Sequence, residues 1–203
     1  MKKFMKDSQM DDKFEILKDY DTWILKFSGG LDSTLILHYM QKVRTNQEVW
    51  LATGVNDNEQ IYNGHARDVV KALNVKNVYH LLYPQPHFTG SGKYTEDYKF
   101  YERCISLFHK DKTIVIQGRT KNPPFTIDGE DEIRNDGGKE LENILGFTVY
   151  RPWANVDKKQ IIESYQEQRI ENLIPLTRSC ISLTEDECKK CFWCKEREWA
   201  IGQ

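Results

Sequence analysis

The segment Phe27-Ser28-Gly29-Gly30-Leu31-Asp32-Ser33-Thr34 constrains this chain more than any other. It follows a short, mostly apolar run at 23–27. It precedes residues 31–44, where Leu31, Leu35, His38 and Tyr39 recur at helical spacing. The order is therefore strand, tight glycine turn, helix. Two adjacent glycines let the backbone turn sharply and approach a ligand without a side chain in the way. The helix beyond them presents unpaired N–H groups and the positive end of its dipole. Ser28, Ser33 and Thr34 add hydroxyl groups at the same place. Together these features describe an anion cradle. An ordinary strand-to-helix turn capped by Ser or Asp is the plainer reading, but it does not require Ser28, Asp32 and Ser33 together.

The rest of the chain builds a scaffold for such a turn. Further strands are predicted at 49–52, 78–82, 113–117 and 147–150, and helices at 60–73 and 96–110. Ala66, Val69, Val70 and Leu73 mark the inward face of the first helix, and Phe100, Cys104, Leu107 and Phe108 that of the second. Asn155 or Asp157 can cap a later helix that carries Ile161, Ile162 and Tyr165. Strands alternating with helices imply an α/β fold, a parallel sheet with helices on both faces, with ligands at the carboxyl ends of the strands. Residues 84–92 read as a loop. Residues 121–139, rich in Asp, Glu, Asn, Gly and Pro, form a long connection that is either a lid or a disordered insertion. We divide the chain into an N-terminal extension at 1–20 with one short helix, a nucleotide-binding domain at 21–170 and a cysteine-rich segment at 171–203.

Cys180, Cys188, Cys191 and Cys194 crowd the end of the chain, whereas none of its five cysteines precedes Cys104. Two successive Cys-x-x-Cys steps let four thiolates converge on one cation, and sulfur ligands favour Zn2+ over hard ions. A closed set of four leaves no open position, so this metal is expected to be structural. An iron–sulfur cluster is the competing occupant. Cys104 has core spacing and is expected to be buried and inert. His38, His65, His80, His87 and His109 show no ligand spacing.

With a formal net charge of −2, the 203-residue chain lacks the basic field of a non-specific nucleic-acid binder, although composition alone does not exclude that partner. No apolar run approaches the roughly 20 residues that span a bilayer, and the opening lacks a signal-peptide core, so a cytoplasmic protein with no membrane partner is expected.

Ser28-Gly29-Gly30-Leu31-Asp32-Ser33 resembles the Ser-Gly-Gly-x-Asp-Ser signature of the PP-loop, or N-type, ATP pyrophosphatases. That resemblance implies an adenine nucleotide alpha hydrolase-like fold. It implies that Ser28, Gly29, Gly30, Leu31, Asp32, Ser33 and Thr34 bind ATP, with Mg2+ bridging its phosphates and cleavage between the alpha and beta phosphates. Asp32 either holds the metal through water or orients the loop. The tail adds a second likeness. Pro175-Leu176-Thr177-Arg178-Ser179-Cys180, the later cysteines, and Arg151-Pro152-Trp153-Ala154-Asn155-Val156-Asp157-Lys158 are similar to stretches of the 7-cyano-7-deazaguanine synthase family of queuosine biosynthesis.

In that family a deazaguanine carboxylate attacks ATP to form an adenylate, ammonia displaces AMP to give an amide, and a second ATP drives dehydration to a nitrile. The resemblance implies a ligase with Ser28, Asp32, Ser33 and Arg178 as catalytic residues. It also implies Arg178 facing a phosphate or carboxylate, a small deazapurine-like carboxylate as substrate, and a homodimer. A solvated Arg178 is the plainer alternative. The family's Tyr-Val-Pro-Gly-Arg-Asn stretch has no match here, and Arg103 or Gly118-Arg119-Thr120 are the nearest sources of a cation. Two other readings stay open: a PP-loop sulfurtransferase or thiolation enzyme, and a non-catalytic ATP- and zinc-binding module in a defence or nucleic-acid-modification complex.

Overall fold

The structure, a computed structural model, describes residues 7–55, 59–84, 95–123, 138–180 and 187–202. Helix α1 (Asp7–Phe14) and a 3-10 turn (Glu15–Asp19) lead into β1 (Thr22–Lys26). There follow α2 (Leu31–Val43), β2 (Glu48–Val55), α3 (Glu59–Ala72), β3 (Val78–Pro84), α4 (Thr95–Leu107) and β4 (Thr113–Gln117). The hairpin β5 (Leu141–Ile144) and β6 (Phe147–Tyr150) precedes α5 (Lys158–Glu167) and α6 (Phe192–Ile201).

The sheet has the order β3-β2-β1-β4-β6-β5. Lys26 at the end of β1 lies opposite Ala52 of β2 and Gln117 of β4, all three strands running parallel. From β1 the chain winds one way to β2 and β3, and then the other way to β4 and β6, so the crevice between β1 and β4 is the switch point where ligands enter such sheets. The expected all-parallel sheet needs one correction, because β5 pairs antiparallel with β6 at the edge. Leu145 and Gly146 both take positive φ in the turn between them, at 51° and 93°. The Gly146 N–H donates to Asn143 Oδ1 at 3.1 Å and fixes that turn.

Period-two alternation explains the two layers of core. Trp23 and Leu25 face the larger layer with α2, α5 and the α1 segment, while Ile24 faces the smaller layer with Phe100, Tyr101, Cys104 and Val115. Each large apolar side chain buried this way contributes about 1.5–3 kcal/mol of transfer free energy. Ala66 and Val69 are buried as expected, with Val70 and Leu73 partly so. Leu107 is a correction: it is 46% exposed. The inward line on α4 runs Phe100, Cys104 and on to Phe108, whose ring packs edge-on against Trp50 at 5.1 Å.

The residues ahead of β1 are knitted into the larger layer. Phe14 stacks on Tyr39 at 5.1 Å and meets Trp153 edge-on at 5.6 Å. Tyr150 donates its hydroxyl to the Lys13 carbonyl at 2.7 Å, and Trp23 Nε1 donates to Leu17 O at 2.7 Å. The acidic stretch 128–136 and most of the 84–92 loop lie outside the described residues.

Candidate nucleotide site and four-cysteine centre

Two helix starts in the same protein show what the glycine loop does. At α5 the reciprocal capping box of Asp157 and Gln160 closes the N-terminus, with both bonds at 3.0 Å. At α2 the cap position is Gly30, which offers no side chain to cap the first-turn amides. A helix left uncapped beside the switch point can accept an anion where α5 cannot.

The loop is held from all sides. Phe27 N–H donates to Ala52 O at 2.7 Å, and Thr53 Oγ1 donates to Phe27 O at 2.9 Å. Gly29 has φ +71°, and a Cβ there would stand 2.9 Å from the Ala66 Cα, so both conformation and space demand glycine. Gly118, just after β4, makes the second close approach: its Cβ would lie 2.9 Å from Asp32 Cβ. Ser28 is exposed, and its Oγ lies 3.3 Å from Ser33 Oγ; Ser33 in turn donates to Gly30 O at 3.2 Å. From the α5 side, Tyr165 OH donates to Leu31 O at 2.9 Å and Trp153 Nε1 donates to Asp32 O at 3.2 Å. Burial and the nearby Asp32 carboxylate push the Tyr165 phenol far up, so it acts as a neutral donor.

Asp32 is the charged centre of the loop. Its Oδ2 accepts from Lys158 Nζ at 2.5 Å, and Lys158 also lies 3.7 Å from Glu196 Oε2. The other oxygen, Oδ1, is buried without a hydrogen bond. An orphaned carboxylate oxygen beside an open helix start fits a hard divalent ion carried in with a phosphate.

At the other end, the Sγ atoms of Cys180, Cys188, Cys191 and Cys194 all lie within 4.8 Å of one another. Cys191 Sγ and Cys188 Sγ stand 3.5 and 4.0 Å from Cys194 Sγ. A tetrahedral zinc with Zn–S bonds of ~2.3 Å needs sulfurs about 3.8 Å apart, so the four fit a metal. The Cys188 and Cys191 amides donate to sulfur, at 3.2 Å to Cys180 and 3.4 Å to Cys188. Amide donors of Lys190 and Cys191, then the Cys180 thiol, pull the Cys188 thiol down to about 6, while burial pushes that of Cys194 up.

The loop and the tail touch. Arg178 N–H donates to Gly29 O at 3.2 Å, and its buried side chain turns to the Cys180 carbonyl, with Nε at 3.5 Å. The solvated alternative for Arg178 is thereby corrected. Arg197 of α6 donates to Thr177 Oγ1 and to Ile174 O, both at 2.7 Å, and ties the cysteine helix to the same segment.

No family model matches the chain. It is 24% identical over 203 residues to 7-cyano-7-deazaguanine synthase 1 of Desulfitobacterium hafniense (strain Y51), a match covering 88% of this chain and 90% of that protein. Its fold is similar to NMN synthetase from Francisella tularensis, with TM-score 0.50 and 14% identity over 97% of this chain and 84% of that one. A similar likeness holds to the U34-tRNA thiolase NcsA from Methanococcus maripaludis with its 4Fe-4S cluster, with TM-score 0.50 and 11% identity over 96% and 76% of the two chains. The chain has the fold of the PP-loop ATP pyrophosphatases.

Set on the PP-loop fold, the residues singled out from sequence fall into two groups. Ser28, Gly29, Gly30, Asp32 and Ser33 meet at the carboxyl end of β1, with Arg178 against them. The Leu31 and Thr34 side chains are buried, and their main chain is engaged within the protein, Thr34 N–H with Gly30 O at 3.0 Å and Leu31 O with the Tyr165 hydroxyl at 2.9 Å. Sequence reasoning missed Lys158 and Glu196, the second 38 positions downstream of the first. Asp157 offered a signal for Lys158, since a capping residue fixes its successor as the first helical position. It also missed the buried brace at the end of β4, where Gln117 donates to Tyr101 OH at 3.1 Å and accepts from Arg151 Nε at 3.1 Å. Arg151 continues to Glu142 Oε2 at 2.8 Å, so the brace reaches the hairpin edge. Among the described residues no helix is long and apolar enough to cross a membrane.

Proposed function

We propose that this chain is an ATP-dependent adenylating enzyme whose PP-loop, Ser28 to Thr34, grips the phosphates while an acceptor oxygen attacks the alpha phosphorus and pyrophosphate leaves. The observation that carries this reading is the uncapped start of α2 beside the orphaned Asp32 Oδ1. First-turn amides would hold the phosphate oxygens where negative charge grows as the anhydride bond breaks. Ser28 and Ser33 hydroxyls would orient the same oxygens, and Gly29 and Gly118 keep the approach clear. Asp32 would hold Mg2+, which offsets the charge on the leaving pyrophosphate.

For the acceptor, likeness across nearly the whole chain to a 7-cyano-7-deazaguanine synthase supports a deazapurine-like carboxylate, converted by ammonia to an amide or nitrile with release of AMP. Sulfur transfer is the second reading, favoured by the likeness to a thiolase and by the four-cysteine centre. Two observations weigh on it. Cys104 is fully buried, and burial pushes its thiol up to about 12, which does not suit a sulfur carrier. Sulfurs clustered within 4.8 Å suit one ion, Zn2+ by ligand softness, better than four irons set between them.

The test is incubation of the metal-loaded protein with labelled ATP, Mg2+ and ammonia, with and without 7-carboxy-7-deazaguanine. AMP and pyrophosphate formed only with the acid support the carboxylate reading. AMP formed only with a sulfur donor and tRNA moves the assignment to thiolation. ATP that binds but is never cleaved leaves a non-catalytic nucleotide module.

A further inference from the structure

The glycine loop contains one joint whose orientation decides what it can bind. Gly29 and Gly30 share a peptide group, and a peptide flanked by glycine on both sides turns over more readily than any other. Because the group is planar and trans, its N–H and C=O point in opposite directions. The Gly30 N–H donates to Ser28 Oγ at 3.3 Å, on the side where the Ser28 and Ser33 hydroxyls meet. The Gly29 carbonyl, on the other side, accepts from the Arg178 N–H at 3.2 Å. Turned over, the peptide would aim a carbonyl oxygen at the place read as the phosphate site, and attraction there would become repulsion.

Arg178 meets the joint a second time. Its carbonyl oxygen stands 3.0 Å from where a Gly30 Cβ would lie. Gly30 has φ −81° and ψ 170°, a conformation open to any residue, so space and not backbone geometry requires glycine here. The residues around Arg178 are tied to the cysteine segment. Thr177 Oγ1 accepts from Arg197 at 2.7 Å, and Arg197 lies on α6 with Cys194. The Ser179 N–H donates to Glu187 Oε1 at 3.3 Å, next in sequence to Cys188. Cys180 is itself one of the four, and its sulfur accepts from the Cys188 N–H at 3.2 Å. The strap 177–180 therefore leans on the glycine joint at Arg178 and on the cysteine segment at 177, 179 and 180. Where the four sulfurs converge on an ion, all three ties take fixed positions.

We propose that the 177–180 strap couples the two sites. With the four cysteines drawn together on Zn2+, the Arg178 main chain holds the Gly29–Gly30 peptide with its N–H toward the phosphates, so that Zn2+ and nucleotide bind cooperatively. The inference rests on the reading of the loop as an ATP site, and it deepens that reading by giving the cysteine centre a part in nucleotide binding. Linkage makes the effect reciprocal: the factor by which Zn2+ raises nucleotide affinity is the factor by which nucleotide raises Zn2+ affinity. A cysteine centre that only folded the tail would leave nucleotide affinity alone.

The test is titration calorimetry of a non-hydrolysable α,β-methylene ATP, with Mg2+, into the full chain, first zinc-loaded and then stripped by a zinc-selective chelator that is afterwards removed. Nucleotide affinity should fall about tenfold without zinc. Zinc affinity of the loaded chain, read by competition with a chromophoric chelator, should rise by the same factor when the nucleotide is present. Two substitutions separate the strap from general damage to the loop. Gly30→Ala presses a methyl group on the Arg178 carbonyl and should lower zinc affinity as well as nucleotide affinity. Gly118→Ala presses on Asp32 Cβ at 2.9 Å, away from the strap, and should weaken nucleotide binding alone. If the stripped chain unfolds, the zinc affinities of these two variants decide by themselves. Equal nucleotide affinity with and without zinc, or equal zinc affinity in Gly30→Ala and Gly118→Ala, overturns the proposal while the nucleotide site stands. Zinc-loaded wild-type protein that binds no nucleotide overturns the ATP reading and the proposal with it.

Discussion

The glycine loop and the cysteine tail are both short and both built around a charge, yet they are held in opposite ways. The loop at Ser28 to Thr34 is shaped by its own main chain and by neighbours that already touch it: Ala66 against Gly29, Gly118 against Asp32, and Tyr165 and Trp153 on its carbonyls. The tail converges on an ion-sized space through four side chains, with sulfurs drawn in by a few amide donors. One site is finished before its ligand arrives, whereas the other needs its ligand to be finished. Metal should therefore govern the folding of the tail, and substitutions in the loop should govern function with the fold intact.

The largest effect should come from breaking the tail. Stripping metal with a chelator, or Cys191→Ser, removes a binding free energy of about 10–16 kcal/mol in comparable peptides. The expected outcome is loss of the α6 contribution to the far-UV circular dichroism and a fall in melting temperature, with the sheet signal kept. A melting curve indifferent to chelator would place the loop and tail in one class after all.

Next comes the loop chemistry. Ser33→Ala should lower AMP formation by about 10²–10³, as loss of one preorganised donor does elsewhere, with little change in melting temperature. If activity and stability fell together, the loop would be a folding element and the contrast would vanish.

Smaller still is the backbone term. Gly29→Ala forces a side chain into positive φ and against Ala66, at a cost of about 1–3 kcal/mol in denaturant unfolding. Nucleotide binding should weaken more than this figure predicts, because the turn itself must move.

The smallest effect belongs to Cys104, which lies in neither region. Cys104→Ala should leave AMP formation unchanged and cost about 1 kcal/mol or less in stability. In the folded protein the thiol ionises only near 12, whereas an unfolded thiol ionises near ~8.5. The folded state thus retains the proton longer, and this contribution to stability is full below the unfolded value and lost as pH rises toward 12. Alkylation at pH 9 should accordingly spare Cys104 in folded protein and modify it once urea is added.

What could be read from the residues alone follows from how local each cause is. Residues 113–117 form β4 with the expected bounds because all five are buried between two layers, which makes an unbroken strand run. The glycine loop was legible because Gly29, Gly30 and the hydroxyl residues lie side by side, and the metal site because its spacing is its geometry. Strand β5 was not, since Leu141-Glu142-Asn143-Ile144 is largely exposed and Leu145 adopts a conformation leucine rarely takes. Nor was the meeting of Lys158 and Glu196, for it depends on how α5 and α6 pack and leaves no periodic trace. Arg178 was noticed for its neighbour Cys180, but its place on the loop comes from a main-chain bond to Gly29.

The aromatic packing of Phe14 bears on how the chain can be shortened. A variant starting at Thr22 would retain every strand and every loop residue while leaving Tyr39 and Trp153 facing water. Trp153 carries the indole that steadies the Asp32 carbonyl, so such trimming should blunt nucleotide affinity from a distance. A shortened chain could recover that affinity only by filling the same hollow with bulk borrowed from elsewhere.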